Sequence, residues 1–155
     1  MRGKVKPVPD GYHSITPYLC IKGAAAAIAF YGKAFGAVEV MRISQPDGRV
    51  GHAEVRIGDS HVMLADEFPE MNFRSPTTVG GAAVHLHLYT QDVDAMVASA
   101  VAAGATLVRP VQDQFYGDRV GTVADPYGHV WHVSTHTEDL SMEELGRRAA
   151  ARHKG

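Results

Sequence analysis

The chain has 155 residues, of which 45% are hydrophobic and 21% are charged, and its formal net charge is −2 at pH 7. This composition is typical of a globular protein. The lack of a basic block argues against nucleic-acid binding through a positive surface, and the single cysteine excludes an internal disulfide. No apolar run approaches the about 20 residues that span a bilayer, and no apolar segment follows the basic N-terminus as it would in a secretory signal. We therefore expect a cytoplasmic protein without membrane or nucleic-acid partners.

Residues 14 to 67 predict one strand, one helix and three further strands. The segment "SITPYLCI" is typical of a strand. It precedes "AAAAIAFYGKAFGA", in which Ile28, Tyr31 and Phe35 recur at helical spacing before Gly36 ends the helix. The strand-like segments "VEVMRIS", "RVGHAEVRI" and "HVMLADE" follow, and the turn sequences "QPDG" and "GDS" separate them.

Residues 82 to 136 repeat the same order. A strand, "AVHLHLYT", precedes the helix "DVDAMVASAVAAGA", and the strands "TLVRPVQ", "GDRVGTVA" and "HVWHVST" follow. The Gly–Ala pairs that end the two helices, at 36–37 and 104–105, lie 68 residues apart, which indicates an internal duplication. The segment between the halves, "DEFPEMNFRSPTTVGG", is predicted to be a linker or a lid-like loop.

The duplicated order predicts an α+β fold of two tandem βαβββ modules whose curved mixed sheets enclose a cavity. Neither module is large enough to bury its sheet and helix well alone, so one sheet face should pack on the helix and the other should line the cavity. Ser141 and Glu144 form a capping box and predict a C-terminal helix over about residues 142 to 152. We expect one compact domain with modules at 14–67 and 82–136, followed by the helix and tail at 137–155.

Strand alternation predicts a set of polar side chains on the sheet faces turned away from the helices. In "HVWHVS", for example, His132 opposes the core residues Trp131 and Val133. Imidazoles and carboxylates are ligands for zinc, nickel, manganese or iron. A solvated polar face, as in many antiparallel sheets, is the alternative. The set consists of His52, Glu54, His85, His87, Tyr89 and His132.

The segment "DQFYGDRVG" forms a second group of candidates. Phe115 and Tyr116 supply aromatic faces, and Arg119 supplies a fixed cation, so the three side chains could orient an anionic or planar ligand. The alternative is a turn that an Arg119–Asp118 pair stabilises.

Several segments in this order resemble the vicinal oxygen chelate superfamily, which includes glyoxalase I, bleomycin-resistance proteins and extradiol dioxygenases. The segments are "ITPYL", "AIAFYGKAFGA", "GHAEVRIGDSHVMLADE", "LHLYTQDVDAMVASAVAAGA", "DQFYGDRVGTVADPYGHVW" and "STH". Together they look most like the PhnB-like branch of small glyoxalase/bleomycin-resistance-type proteins. The resemblance covers residues 14 to 136 and also implies a homodimer.

The resemblance also implies where a metal would bind. Metal-dependent members place ligands at the start of the first strand, in the fourth, at the start of the fifth and in the eighth. In this chain the fifth-strand position falls on His85 and the eighth-strand position on His132. Thr16 and Leu64 fall near the other two positions and are not suitable ligands. The implied cofactor is therefore a divalent ion (Zn, Ni, Mn or Fe) held by His85 and His132, or no metal at all.

Two functions follow from the resemblance. The first is a glyoxalase-type lyase or isomerase, in which a metal chelates two neighbouring substrate oxygens and Glu54 transfers a proton. The second is a metal-free protein that binds and sequesters a small drug or metabolite. The absent eighth-strand carboxylate disfavours a dioxygenase, which needs two histidines and a carboxylate on iron. The expected ligand-contacting residues are His52, His87, Tyr89, Phe115, Tyr116 and Arg119.

Overall fold

The computed structural model describes residues 3–154, and its contacts divide the chain into two units with the boundary between Gly81 and Ala82. Each unit contains one four-stranded mixed sheet and one long helix, and a further helix lies near the C-terminus. The predicted α+β fold with two βαβββ modules and a C-terminal helix is confirmed. Within residues 3–154, no helix has both the length and the apolar character needed to cross a membrane.

The sheet of the first unit has the order β1-β4-β3-β2. Strands β1 and β4 run parallel, and the other neighbours run antiparallel. A parallel pair needs a crossover connection, which the segment between β1 and β4 provides. The elements are β1 (Tyr18–Ile21), α1 (Ala24–Phe35), β2 (Val38–Ser44), β3 (Val50–Ile57), β4 (Ser60–Asp66), a 3-10 turn (Pro69–Met71) and the short helix α2 (Pro76–Val79).

Asp66, the last residue of β4, fixes the start of α1. Its Oδ1 accepts hydrogen bonds from the backbone N–H groups of Gly23 and Ala24, both at 2.9 Å, and so pairs donors that a helix start leaves free. The helix ends at Gly36, whose φ of 70° is in the left-handed region that favours glycine. Between these ends α1 packs on the sheet. The buried core includes Ala27, Ile28, Tyr31, Phe35, Ile21, Ala53, Val55 and Leu64.

The second unit repeats this arrangement with the sheet order β5-β8-β7-β6, in which β5 and β8 are parallel. Asp92 caps α3, because its side chain accepts a hydrogen bond from the backbone N–H of Ala95 at 3.1 Å. The elements are β5 (Leu86–Tyr89), α3 (Val93–Ala103), β6 (Thr106–Asp113), β7 (Asp118–Ala124) and β8 (Val130–His136). The buried core includes Val93, Val97, Ala100, Val123, Trp131 and Val133.

The C-terminal helix α4 (Met142–Ala151) begins after Ser141, whose side chain accepts a hydrogen bond from the backbone N–H of Glu144 at 3.1 Å. Arg148 anchors the helix to the loop between β6 and β7, because its guanidinium donates to the backbone oxygen of Phe115 at 3.1 Å. The same guanidinium pairs with Glu138 at 2.6 Å. A 3-10 turn (Arg152–Lys154) follows the helix.

Three segments differ from the sequence prediction. The first strand was expected from residue 14 but begins at Tyr18, where pairing with β4 starts. The fifth strand was expected from residue 83 but begins at Leu86, opposite Trp131 of β8. His85 therefore lies just before β5 rather than within it. The segment expected to be an irregular linker contains the 3-10 turn and α2.

Candidate functional site

Three neighbouring strands of the second sheet place polar side chains side by side on its distal face, defined as the sheet face turned away from the helix. His87 on β5 and Thr122 on β7 are the two register partners of His132 on β8. His85 reaches the same group, because its Nδ1 lies 2.9 Å from Nε2 of His132. The other ring nitrogen of His132, Nδ1, lies 2.9 Å from the Thr122 hydroxyl. The structure therefore brings together three of the predicted site histidines.

The environment of His132 favours its neutral form. Burial lowers its pKa from the ordinary value, and the neighbouring His85, His87 and Arg109 lower it further by disfavouring a second positive charge. Metal ligation requires a neutral imidazole, and so does accepting a hydrogen bond from a ligand. Because the Thr122 hydroxyl can donate or accept, the hydrogen bond between the two histidines can run in either direction.

The histidine pair meets one requirement of a metal centre and fails another. Two nitrogens that bind one zinc ion at about 2.0–2.1 Å with a tetrahedral angle lie about 3.3 Å apart. The nitrogens of His85 and His132 lie 2.9 Å apart, which is close enough for both to approach one ion. A protein site usually needs at least three ligands. Within the described part of the chain, no group of three or more His, Cys, Asp or Glu side chains is placed to share one ion. The donor set therefore does not fit a complete metal centre.

Tyr89 lies on the same distal face and contacts a buried carboxylate. Its hydroxyl donates to Asp118 Oδ2 at 3.3 Å, and the other oxygen of Asp118 lies 2.7 Å from Nδ1 of His136. An open hollow of about 580 Å³ borders this group. Its lining residues are Tyr89, Thr90, Gln91, Thr135 and His136.

The second group of predicted site residues does not join these histidines. Arg119 donates to Asp94 of α3 at 2.8 and 2.9 Å and to Asp113 at 3.2 Å, so its guanidinium lies on the helix side of the sheet. Phe115 and Tyr116 lie in the loop between β6 and β7, with their ring centroids 5.2 Å apart. The ligand-contacting role of these three residues stays a prediction.

The distal face of the first sheet carries four hydrogen-bonded side chains, which we name the Tyr12–Tyr18 chain. The Tyr12 hydroxyl donates to Glu54 Oε2. The other carboxylate oxygen, Oε1, lies 3.3 Å from Nε2 of His52, and Nδ1 of His52 lies 2.8 Å from the Tyr18 hydroxyl. The His61 ring stacks on Tyr12 with 4.0 Å between the centroids, which holds the N-terminal segment against the sheet.

The hydrogen bonds of the Tyr12–Tyr18 chain stabilise the ionised form of Glu54. The Tyr12 hydroxyl is the main cause that lowers its pKa, and His52 adds to the effect, while partial burial opposes both. Both carboxylate oxygens are engaged, and a carboxylate with a lowered pKa is a weak base. The role of Glu54 in proton transfer stays a prediction, and these contacts do not favour it.

A pocket of about 600 Å³ lies beside the Tyr12–Tyr18 chain in the first unit. The Tyr18 ring meets the Phe73 ring edge-on at 5.7 Å. The Arg49 guanidinium lies over the Phe68 ring at 4.2 Å. The lining residues are Tyr18, Gln45, Arg49, Gly51, Ala65, Phe68, Glu70, Met71 and Phe73.

Sequence reasoning missed this pocket, because none of its lining residues was predicted as a site residue. Alternation in "PYLCI" could have revealed Tyr18, because a residue next to the buried Leu19 must face away from α1. Phe68 and Phe73 lie in the loop after β4, where a bridge between the two residues brings their rings to the sheet. No periodicity in the sequence marks such a contact.

Comparisons with known proteins agree with this architecture. Residues 12–133 match the family model described as "Glyoxalase/Bleomycin resistance protein/Dioxygenase superfamily". The Mycobacterium bovis protein Mb0911c is 44% identical over 135 residues, which cover 85% of this chain and 89% of that protein. The X-ray structure of the Arabidopsis thaliana gene product At5g48480 is 28% identical, with a TM-score of 0.64, and the match covers 79% of this chain and 98% of that one.

The PhnB protein from Bacillus cereus also shares the fold. Its structure is 21% identical to this chain, with a TM-score of 0.62, and the match covers 79% of this chain and 99% of that one. The chain belongs to the Glyoxalase/Bleomycin resistance protein/Dioxygenase superfamily, as the sequence resemblance predicted.

Proposed function

We propose that this protein binds a small, neutral, planar organic molecule in the pocket of the first unit, and that binding uses no resident metal ion. The observation that carries the proposal is the pocket of about 600 Å³ with the rings of Tyr18, Phe68 and Phe73 in its wall. Small-molecule sites typically have volumes of about 300–1,000 Å³. Aromatic walls favour planar ligands, which can stack on their faces or meet their edges.

The charges beside the pocket favour a neutral ligand over an anion. Arg49 is the cation of the pocket wall, and it already pairs with Asp47 at 2.8 Å and with Glu70 at 3.0 Å. Its guanidinium is also stacked on Phe68, so it extends the flat surface of the wall. One cation between two carboxylates leaves no excess positive charge to attract an anionic group.

Family membership supports a binding role as well as an enzymatic one. The description of the matched family includes bleomycin-resistance proteins beside glyoxalases and dioxygenases. A protein that sequesters a small molecule needs a cavity and a few polar anchors, and the first unit has both. Catalysis of the glyoxalase type would also need a complete metal centre, and the donor set described above falls short of one.

Filling the pocket tests the proposal. Leucine at Gly51 would project into the pocket, because a Cβ there lies 2.5 Å from Nε2 of the flexible Gln45 side chain. We expect Gly51→Leu to weaken binding of an aromatic probe, 3-methylindole, at least about tenfold by titration calorimetry. Gly146→Leu on α4 is the matched control, since nothing lies within 4 Å of its added Cβ. A folded Gly51→Leu protein that binds the probe like the wild type would contradict the proposal.

The His85–His132 pair favours a second candidate, a metal-assisted lyase or isomerase. Under the proposed function, protein purified without a histidine tag contains far less than one equivalent of zinc, nickel, manganese or iron. A chelator should also leave binding of 3-methylindole unchanged. About one equivalent of metal in elemental analysis, lost in a His85→Ala/His132→Ala variant, would instead favour the enzyme.

We further propose that the protein is a homodimer. Apolar side chains on the edge strands of the two sheets support this, because exposed apolar residues on an edge strand mark a surface for pairing. They are Val38, Val40 and Ile43 on β2 and Leu107 and Val108 on β6, all between 47% and 54% exposed. Cytoplasmic location and the lack of a nucleic-acid partner stay predictions.

A further inference from the structure

The direction of the hydrogen bonds in the Tyr12–Tyr18 chain decides which polar atom the pocket offers to a ligand. We propose that Tyr18 presents its phenolic oxygen only as an acceptor, so that the pocket selects planar ligands that carry an N–H or O–H donor. The inference rests on the proposed function, because it concerns the ligand of the same pocket. The acceptor role of Tyr18 follows from the number of donor hydrogens on Tyr12, Glu54, His52 and Tyr18, the four side chains of the Tyr12–Tyr18 chain.

Glu54 sets the direction at one end. Its pKa is held below the usual range by the hydroxyl of Tyr12 and by His52, so the carboxylate is ionised at neutral pH. An ionised carboxylate has no hydrogen to donate. The contact of 3.3 Å between Glu54 Oε1 and His52 Nε2 is therefore donated by the histidine.

His52 passes this direction on to Tyr18. A neutral imidazole carries one hydrogen, and the hydrogen bond that it makes at one nitrogen fixes its tautomer. With the hydrogen on Nε2, the Nδ1 atom carries a lone pair. The contact of 2.8 Å between Nδ1 and the Tyr18 oxygen is therefore donated by the Tyr18 hydroxyl.

Tyr18 is left with an oxygen that can only accept. Its single hydroxyl hydrogen points to His52, its side chain lines the pocket, and 47% of its surface is exposed. The edge contact with Phe73 holds the ring in place. A ligand donor at this oxygen gains a hydrogen bond, whereas a bound ligand without a donor leaves the acceptor lone pairs of the oxygen without a partner.

The other polar side chains of the pocket wall are Gln45, Arg49 and Glu70. The Gln45 amide has both donors and an acceptor, so it can pair with either class of ligand. Arg49 has donors only, and these are engaged by Asp47 and Glu70. Glu70 can also only accept, but its Oε1 already pairs with Arg49 at 3.0 Å. We therefore assign the selection for a ligand donor to Tyr18.

Two isomeric probes test the inference. Both 3-methylindole and 1-methylindole are neutral and equal in size, but only 3-methylindole has an N–H group. We expect the wild-type protein to bind 3-methylindole about tenfold more tightly, as one additional hydrogen bond implies. Titration calorimetry of the full chain gives both dissociation constants and their ratio.

Three variants assign the ratio to the hydrogen-bond chain. Tyr18→Phe should bring the ratio close to one, mainly by weakening 3-methylindole. His52→Ala keeps the Tyr18 ring and the acceptor lone pairs of its oxygen, so 3-methylindole should still bind more tightly than 1-methylindole. A ratio close to one in this variant would contradict the assignment to Tyr18. Tyr89→Phe is the matched control, because the hydroxyl of this tyrosine is likewise engaged as a donor, to Asp118, but the residue lies in the second unit. Its ratio should equal that of the wild type.

The outcomes separate the two proposals. Equal affinity of the wild type for both probes, or an unchanged ratio in Tyr18→Phe, would overturn the inference and leave the proposed function standing. Failure of the wild type to bind either probe would overturn the proposed function and the inference with it.

Discussion

Ser134 is a fully buried residue of β8 whose hydroxyl makes no hydrogen bond within residues 3–154. Its register partners are Tyr89 on β5 and Val120 on β7, so larger side chains flank it on both sides. A buried hydroxyl without a partner costs about 1–3 kcal/mol. We therefore expect Ser134→Ala to raise the free energy of unfolding in urea by about 1 kcal/mol or more.

A second fully buried serine provides the control. The Ser75 hydroxyl contacts Glu67 at 3.1 Å and Thr77 at 3.0 Å, so Ser75→Ala should lower the free energy of unfolding by about 1 kcal/mol. The two variants remove the same atom from equally buried positions and should shift stability in opposite directions. Loss of stability in Ser134→Ala would mean that the hydroxyl has a partner in solution.

At the scale of the element, His136 joins the end of β8 to the start of β7 and to the segment after β8. Its Nε2 lies 2.7 Å from Asp139, and its Nδ1 lies 2.7 Å from Asp118. The carboxylate of Asp139, followed by that of Asp118, raises the pKa of His136 from its ordinary value. The folded protein therefore holds this proton more tightly than the unfolded chain does.

The sign of this shift predicts how stability depends on pH. Because the folded pKa is the higher one, the stabilising effect is fully present below the ordinary imidazole pKa of about 6.5 and is lost as pH rises through the raised value. The melting temperature of His136→Gln should therefore lie below that of the wild type at about pH 5.5, and the gap should narrow by about pH 9. His13→Gln, at an exposed histidine outside both sheets, controls for the removal of an imidazole as such. A difference in melting temperature that does not change with pH would mean that His136 stabilises the fold through packing alone.

The elements themselves could largely be predicted from the sequence, because their signals are local. The apolar spacing of Ile28, Tyr31 and Phe35 lies within one helix, and Gly36 marks its end. The polar contacts could not be predicted in this way. Tyr12 and its partner Glu54 are 42 residues apart. Tyr12 reaches the sheet because the segment before Tyr18, which belongs to no strand, places it there.

The candidate site was predictable only in part, for the same reason. Alternation placed His132 opposite the buried Trp131, and the structure brings its imidazole to His85. Arg119 was expected near the ligand, but Asp94 of α3 engages it on the helix side of the sheet. The sequence around a single charged residue at the end of a strand does not indicate which distant residue it will form an ion pair with.

For the whole molecule, the apolar edge strands predict the state of association. A chain of 16.7 kDa that forms the proposed homodimer should sediment as a species of about twice that mass. Lysine in place of Val40 or Leu107 would put a charge among the exposed apolar side chains of β2 or β6, and desolvating that charge at an interface is unfavourable. We expect at least one of these substitutions to weaken dimerisation about tenfold or more in sedimentation velocity measured over a range of concentrations.

The control distinguishes an interface from a general effect of surface charge. Val79→Lys makes the same change at a residue that is 60% exposed on α2, outside both edge strands, and should leave association unchanged. Circular dichroism of each variant shows whether its monomers remain folded, because lysine on an exposed edge position is compatible with a strand. A wild-type protein that sediments as a monomer at all concentrations would contradict the dimer. If neither edge substitution weakens dimerisation, the interface lies on another surface. The introduced lysines then stay exposed to water, where a charge carries no desolvation cost.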